Sequence, residues 1–336
     1  MISILQATLV DVDSIMNFIH YEWKENHILS YNKDFFLYEF KNNDKLNIII
    51  AKNQIGEIIA FFGYFYYNNL DNPDMAGSIW KVSSEAEDQL LGMKVRNYFV
   101  KTLKPNFFAT PGPGIHMKSV YKIMRMDWFC MQQYYLVNYD INSFKLLRNP
   151  PKIIRGKFYD KDISIKQATE REELKEYKFN TKVVPFKDIN YINKKYLNHP
   201  IYKYDVYYIK VGNIISNIFI CRLACNNSDC VYKIVDFFGE LEYIKEITTF
   251  LSDYIEKYNI EYIDFTCHGY DEEKILNSGF GKVYFDDDNI IVPNYFEPFI
   301  QKNVPVYCVA DKTDKIFRQH KADGDMDRPH KMKYLQ

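Results

Sequence analysis

Residues 84–95, SEAEDQLLGMKV, lie between an apolar run at 75–83 that alternates as a strand does and a segment at 89–102 whose apolar residues recur at helical spacing. A strand that passes into a helix through such a loop brings the helix's first, unpaired N–H groups to the end of a sheet. Those donors carry the positive end of the helix dipole, so the junction is suited to a phosphate or pyrophosphate. Gly92 would let backbone approach phosphate oxygens closely. The question is whether the stretch only turns the chain or also binds a ligand.

Working outward, alternating runs at 2–9, 47–52, 58–67 and 107–110 and helical patterns at 12–25, 33–40 and 115–124 surround it, which predicts a mixed α/β unit. Asn149, Pro150 and Pro151 then break all periodicity, because paired prolines disfavour both helix and ladder. The expected organisation is a first domain at 1–148, a linker at 149–161, a second domain at 162–310 and a polar C-terminal tail at 311–336. The second domain repeats the scheme, with strands at 163–167, 205–210, 214–223, 231–238 and 261–267 and helices at 242–258 and 271–277. Ile244, Ile247, Leu251, Tyr254, Ile255 and Tyr258 form one buried stripe on the longer helix. IWKVS, NFFAT and SVYKIMRMDWF are echoed in order by VYKIVDFF, YIDFT and EKILNSGFGKV about 152 residues later, which points to an internal duplication.

Composition narrows the function classes. The chain has 336 residues, 47% of them hydrophobic and 26% charged, with a formal net charge of -1. This is a globular composition with no field to gather nucleic acid or anionic lipid. No apolar stretch reaches the roughly 18 residues that span a bilayer, and the first residues do not read as a secretion signal. A cytoplasmic protein is expected, with its six cysteines reduced. Cys221, Cys225 and Cys230 with His268 lack the close ligand pair of a zinc site, so no metal is expected. In ADGDMDRP, Asp323, Asp325 and Asp327 stand at the spacing that opens an EF-hand loop, yet glycine is missing at the sixth position and Tyr334 takes the twelfth. The run is read as a solvated acidic tail, the alternative being a segment folded over a cleft against the acceptor.

The order strand, Q-x-x-G loop, helix, strand, tyrosine-bearing helix resembles the GCN5-related N-acetyltransferase superfamily, whose acyl-CoA signature is Q/R-x-x-G-x-G/A. Gln89, Gly92 and Lys94 occupy its three positions, with lysine where the family has a small residue. EWKENHILSYNKDFFLYEF, IWKV, HPIYKY and DGDMDRP are similar to a group of two-domain acyltransferase-like proteins of bacterial surface-polysaccharide gene clusters. The resemblance implies tandem domains of the α/β (α+β) class, each a mixed, mainly antiparallel sheet flanked by helices. It also implies acetyl-CoA or another acyl-CoA as cosubstrate, held by Val82, Ser83, Gln89, Leu90, Leu91, Gly92, Met93 and Lys94, with the N–H of Val82 or Ser83 polarising the thioester carbonyl. Tyr121 matches the tyrosine that protonates the departing thiolate, although the Gly-Phe pair that follows it in the family is here Arg125–Met126. His116, His27 and Glu25 are the titratable groups available as general base. The second half has Ile275 in place of Tyr121 and an acidic Gly239–Glu240 loop, which reads as a degenerate copy on the acceptor side.

The expected function is direct acyl transfer to an amino or hydroxyl group of a sugar or nucleotide sugar in surface-glycan biosynthesis. Alternatives are a non-catalytic binding protein for a glycan precursor or partner enzyme, and Fem-like aminoacyl transfer, against which the neutral charge weighs. Oligomeric state is not read from the sequence.

Overall fold

The computed structural model describes residues 2–151, 153 and 156–332. Lys152, Ile154 and Arg155 of the expected linker, and Tyr334, lie outside the described residues. In the first half β1 (Ser3–Thr8), β2 (Lys45–Lys52), β3 (Ile58–Tyr66) and β4 (Asp74–Val82) pair antiparallel in succession, and β4 then runs parallel to β5 (Phe107–Pro111). Helices α1 (Val12–Phe18) and α2 (Lys33–Phe40) connect β1 to β2, and α3 (Leu91–Leu103) connects β4 to β5. A parallel pair needs such a crossover, because a hairpin cannot join strands of the same direction. Leu91, Val95 and Phe99 are the buried stripe of α3, and the Phe99 ring packs 5.0 Å from Phe62 and 5.7 Å from Phe108.

Next come α4 (Lys118–Ile123), β6 (Asp127–Val137), β7 (Ile163–Ala168), α5 (Ile189–Ile192), β8 (Asp205–Val211), β9 (Ile214–Asn226) and β10 (Asp229–Phe238). The chain continues through α6 (Ile244–Lys257), β11 (Tyr262–His268), α7 (Glu272–Asn277) and β12 (Val306–Ala310). The pairing sequence of the first half recurs: β7, β8, β9 and β10 antiparallel, then β10 parallel to β11. Ile244, Ile247, Leu251 and Ile255 of α6 are buried against Tyr207, Phe219, Ile263 and Phe265. The class is therefore mixed α/β with mostly antiparallel sheets flanked by helices, as the sequence implies.

By contacts the chain divides into Met1–Thr110 with Arg328–Gln336, and Pro111–Asp327. The division falls at residue 110 rather than within 149–161. The reason is β6, which pairs with β11 and β12 and so binds residues after 110 to the second unit. Two further expectations give way. Cys225 and Cys230 face each other across the β9–β10 hairpin and form a disulfide, which also removes them from any zinc site. The acidic tail is not solvated: Asp323 and Asp327 are buried.

The two units share finer features. A π-helical turn follows α1 at Ile19–Trp23 and α5 at Asn193–Leu197, and an Asn-His pair follows each, Asn26–His27 and Asn198–His199. Nδ1 of His27 accepts the Leu29 N–H at 3.2 Å, and Nδ1 of His199 accepts those of Ile201 and Tyr202 at 3.1 and 2.8 Å. Burial, helped by Arg328, His330 and Lys24, pushes His27 down to about 2, and burial with Lys195 pushes His199 down to about 4. Both rings are neutral caps in the folded chain, whereas the unfolded chain protonates them below about pH 6.5. Stability they contribute is therefore complete above pH 6.5 and falls as pH drops below it, at up to about 1.4 kcal/mol per pH unit for each. Chemical denaturation between pH 7 and 5 should show this loss, and replacing His27 or His199 by Gln should flatten the pH slope by up to about one proton each.

Candidate functional site

The opening stretch forms the loop from β4 to α3 together with the first turn of that helix. Asp88 organises the turn: its carboxylate accepts the Leu90 N–H at 3.0 Å and the Lys94 ammonium at 2.6 Å, while its carbonyl accepts the Leu91 N–H at 2.9 Å. The Lys94 contact, with the Leu90 N–H, holds the Asp88 carboxyl below its ordinary range. Lys94 thus neutralises an acid at the helix start instead of crowding the loop. The N–H groups of Gly92 and Met93 have no hydrogen-bond partner among the described residues, so they are the first-turn donors open to a phosphate. Gln89 and Leu90 are exposed and Leu91 is buried. Gly92 also permits close packing, since a Cβ there would lie 3.3 Å from Nε1 of Trp80 and from a Val82 methyl.

At the end of β4 the two proposed carbonyl donors separate. The Ser83 N–H is consumed by the Ile59 carbonyl at 2.9 Å. Alternation along a strand turns the preceding N–H, that of Val82, to the opposite edge. On that side β4 and β5 pair from Asp74↔Phe107 to Ala76↔Ala109, and among the described residues no ladder continues along β4 to its end at Val82. Where the two strands part, the Thr110 hydroxyl donates to the Gly77 carbonyl at 2.8 Å. Glu22, carried by the π-helical turn, accepts from the Ser83 hydroxyl at 2.9 Å and from the Ser84 N–H at 3.3 Å. Nothing in the sequence marks this carboxylate, which looks like any acid on a helix. Its one signal is the π-turn, a feature common at functional sites that only the backbone reveals.

The other expected bases fare differently. His27 has Nδ1 engaged as a cap, so its ring proton sits on Nε2, and its depressed pKa leaves it unable to accept a proton near neutrality. Glu25 is exposed in the turn before it. Tyr121, on α4, is buried with its ring 6.2 Å from Trp128, and His116 is exposed on the short helix Ile115–Met117. Both belong to Pro111–Asp327, whereas the loop belongs to Met1–Thr110. Arg125, which replaces the family's glycine, takes a φ of 60°, and Gly279 takes 106° at the matching end of α7. A left-handed residue ends both helices, as such caps require. Ile275 is fully buried.

From Pro111 to Asp327 the corresponding fork is filled by the chain itself. β10 and β11 pair from Val231↔Tyr262 to Ile234↔Phe265, after which Gln319 and His320 pair with β11 and the Ala322 N–H donates to the Val235 carbonyl at 3.0 Å. Buried charges fix this segment. Lys187 bonds Asp236 at 2.8 Å and also pairs with Asp323, and the Tyr196 hydroxyl donates to Asp236 at 2.6 Å. Burial works against the Lys187 charge, yet the two carboxylates hold its pKa above the ordinary value. Arg222 grips Asp327 with two bonds of 2.8 and 2.6 Å. Asp236, His320 and Asp323 converge as metal ligands would, but the Lys187 ammonium already stands among them as their cation.

No protein-family model matches the chain, and no curated protein does. Solved structures do. A GCN5-related N-acetyltransferase from Anabaena variabilis is 6% identical, with a TM-score of 0.56 over 92% of this chain and 72% of that one. A protein from Enterococcus faecalis described as a probable N-acyltransferase is 10% identical, with a TM-score of 0.55 over 92% and 72%. The GCN5-related glucosamine N-acetyltransferase region of a fungal β-N-acetylglucosaminidase is 8% identical, with a TM-score of 0.52 over 92% and 38%. The chain has the fold of the GCN5-related N-acetyltransferases.

Proposed function

We propose that Met1–Thr110 binds an acyl-CoA, with acetyl-CoA the expected donor, and passes its acyl group directly to an amino or hydroxyl group of a sugar or nucleotide sugar. The observation that carries this reading is the end of the β4–β5 ladder at Ala76, beyond which β4 runs on to Val82, beside Gly92 in the first turn of α3. The amides of Gly92 and Met93 would hold the pyrophosphate at the positive end of the helix. The Val82 N–H, past the end of that ladder, would stabilise the negative charge that develops on the thioester oxygen. Glu22 would take the proton from the acceptor as its nitrogen or oxygen bonds to the carbonyl carbon and the carbon–sulfur bond breaks. The thiolate released has a free pKa near about 8.5 and can take its proton from water. The sugar acceptor is supported by the resemblance to polysaccharide-cluster proteins and by the fungal glucosamine acetyltransferase region of the same fold. We read the repeated pairing order of the two halves as a tandem duplication whose second copy has its fork closed by the chain.

Titration calorimetry with acetyl-CoA tests the donor. Saturable binding is expected in the parent protein, and its absence would favour a non-catalytic binding protein. Gly92→Ala adds only a Cβ against Trp80 and Val82, whereas Gly92→Asp adds the same atom plus a carboxylate at the phosphate seat. The aspartate variant should bind at least about tenfold more weakly than the alanine variant, a gap that charge alone supplies. Equal affinities would show that the loop is only a turn.

Glu22→Gln keeps an acceptor for the Ser83 hydroxyl and removes the base. With glucosamine as acceptor, turnover should fall about 10²- to 10⁴-fold while acetyl-CoA affinity stays within about twofold of the parent. Unchanged turnover would remove Glu22 from the mechanism.

A further inference from the structure

The unit Pro111–Asp327 contains a pocket of its own at the end of β10, apart from the loop assigned to the acyl donor. Tyr177, Phe179, Phe186 and Phe238 supply aromatic walls, and Lys187 and Arg318 supply charge. The rings brace one another: Phe179 meets Tyr177 edge-on at 4.8 Å and Phe238 at 5.9 Å. The backbone turns out of β10 at Gly239, whose φ of 105° suits only glycine, because a Cβ would run into the Asn217 side chain and the Ser216 carbonyl.

The two cations differ in what they have left to give. Lys187 is matched by two buried carboxylates, Asp236 and Asp323, and needs no further anion. Arg318 is not matched in this way. Its side chain is 8% exposed, with the guanidinium carbon 4.5 Å from the centre of the Tyr270 ring. One terminal nitrogen donates to the Gly239 carbonyl at 2.8 Å and the other to Glu240 at 2.5 Å, but Nε has no hydrogen-bond partner among the described residues. Nε and the nitrogen facing Glu240 form the side of the guanidinium that accepts an oxyanion with two parallel bonds. Glu240 uses only half of that side, and its own side chain is 60% exposed. A buried donor left unsatisfied costs about 1 to 3 kcal/mol, which a ligand oxygen would recover.

We infer that this pocket is a binding site for a small ring-bearing carboxylate, whose ring lies among Phe179, Phe186 and Phe238 and whose carboxylate pairs with both donors on the Arg318 side edge, displacing Glu240. Aromatic walls fit a planar ring or the apolar face of a sugar ring equally, so the shared chemistry is a ring with an oxyanion. All of its lining residues lie within Pro111–Asp327.

Benzoate and glucuronate, with benzyl alcohol and glucose as their uncharged counterparts, are titrated into the full chain by ligand-observed NMR and calorimetry. At least one acid should bind saturably, with an affinity of the order of 1 mM or tighter and roughly tenfold above its uncharged counterpart. Which acid binds identifies the ring. Arg318→Lys, which keeps the charge and loses the fork, should abolish that tenfold preference, and Phe179→Ala should weaken binding without touching Arg318. Glu240→Gln should tighten it, since the competing carboxylate is gone. Binding of neither acid overturns the proposal, as does binding indifferent to both Phe179→Ala and Arg318→Lys, or weakened by Glu240→Gln. Acetyl-CoA affinity, read on the same samples, decides the acyl-transfer reading separately.

Discussion

Two parallel strands that pair only over their first residues and then part set the rest of the structure. Parallel ladders demand a crossover, and the crossover helix brings its N-terminus back to the place where the strands diverge. The fork between β4 and β5 opens after Ala76 and that between β10 and β11 after Ile234. A fork exposes backbone donors and acceptors along one edge, and such groups must find partners. The two units answer this need differently. Residues 319–322 supply a strand-like partner between β10 and β11, whereas among the described residues no strand pairs with β4 beyond Ala76 on the side of β5.

Closing a fork with a polar segment has an electrostatic cost, visible in the buried charges of the second unit. A buried ion pair gains stability only when geometry and hydrogen bonds offset desolvation. That condition is met at Asp327, which Arg222 grips with two bonds and to which the Tyr204 hydroxyl donates at 2.9 Å. It is met again around Lys187, where Asp236 and Asp323 share the ammonium. Charges so matched fix one position of the segment, because a shift by one residue would leave several of them unpaired at once.

Much of this was legible in the sequence. Alternation located β2, β3 and β4 within a few residues, and the 33–40 helix matches α2 at both ends. The stripe on α6 is buried largely as its spacing predicts. β6, DWFCMQQYYLV, is not legible in the sequence: its second half is buried on both faces, and such a strand shows no alternation. The acidic run misled for another reason, since its partners Lys187, Tyr204 and Arg222 lie far away in sequence and local charge density reads as solvation. The loop 84–95 was legible as a strand-to-helix junction, but neither Asp88 as its organiser nor Glu22 at its edge could be found without the backbone.

The same ion pairs impose an order on folding as the chain is made. Arg222 precedes its carboxylate by 105 residues, and Lys187 lies still farther ahead of Asp323. While the chain emerges from the ribosome, β10 and its neighbours can assemble with these cations still facing water, but the fork cannot close until the last carboxylates arrive. Until then its edge is an unpaired strand, the kind of surface that invites mispairing with other nascent chains. Translation of the segment up to Asp327 sets the shortest interval before closure.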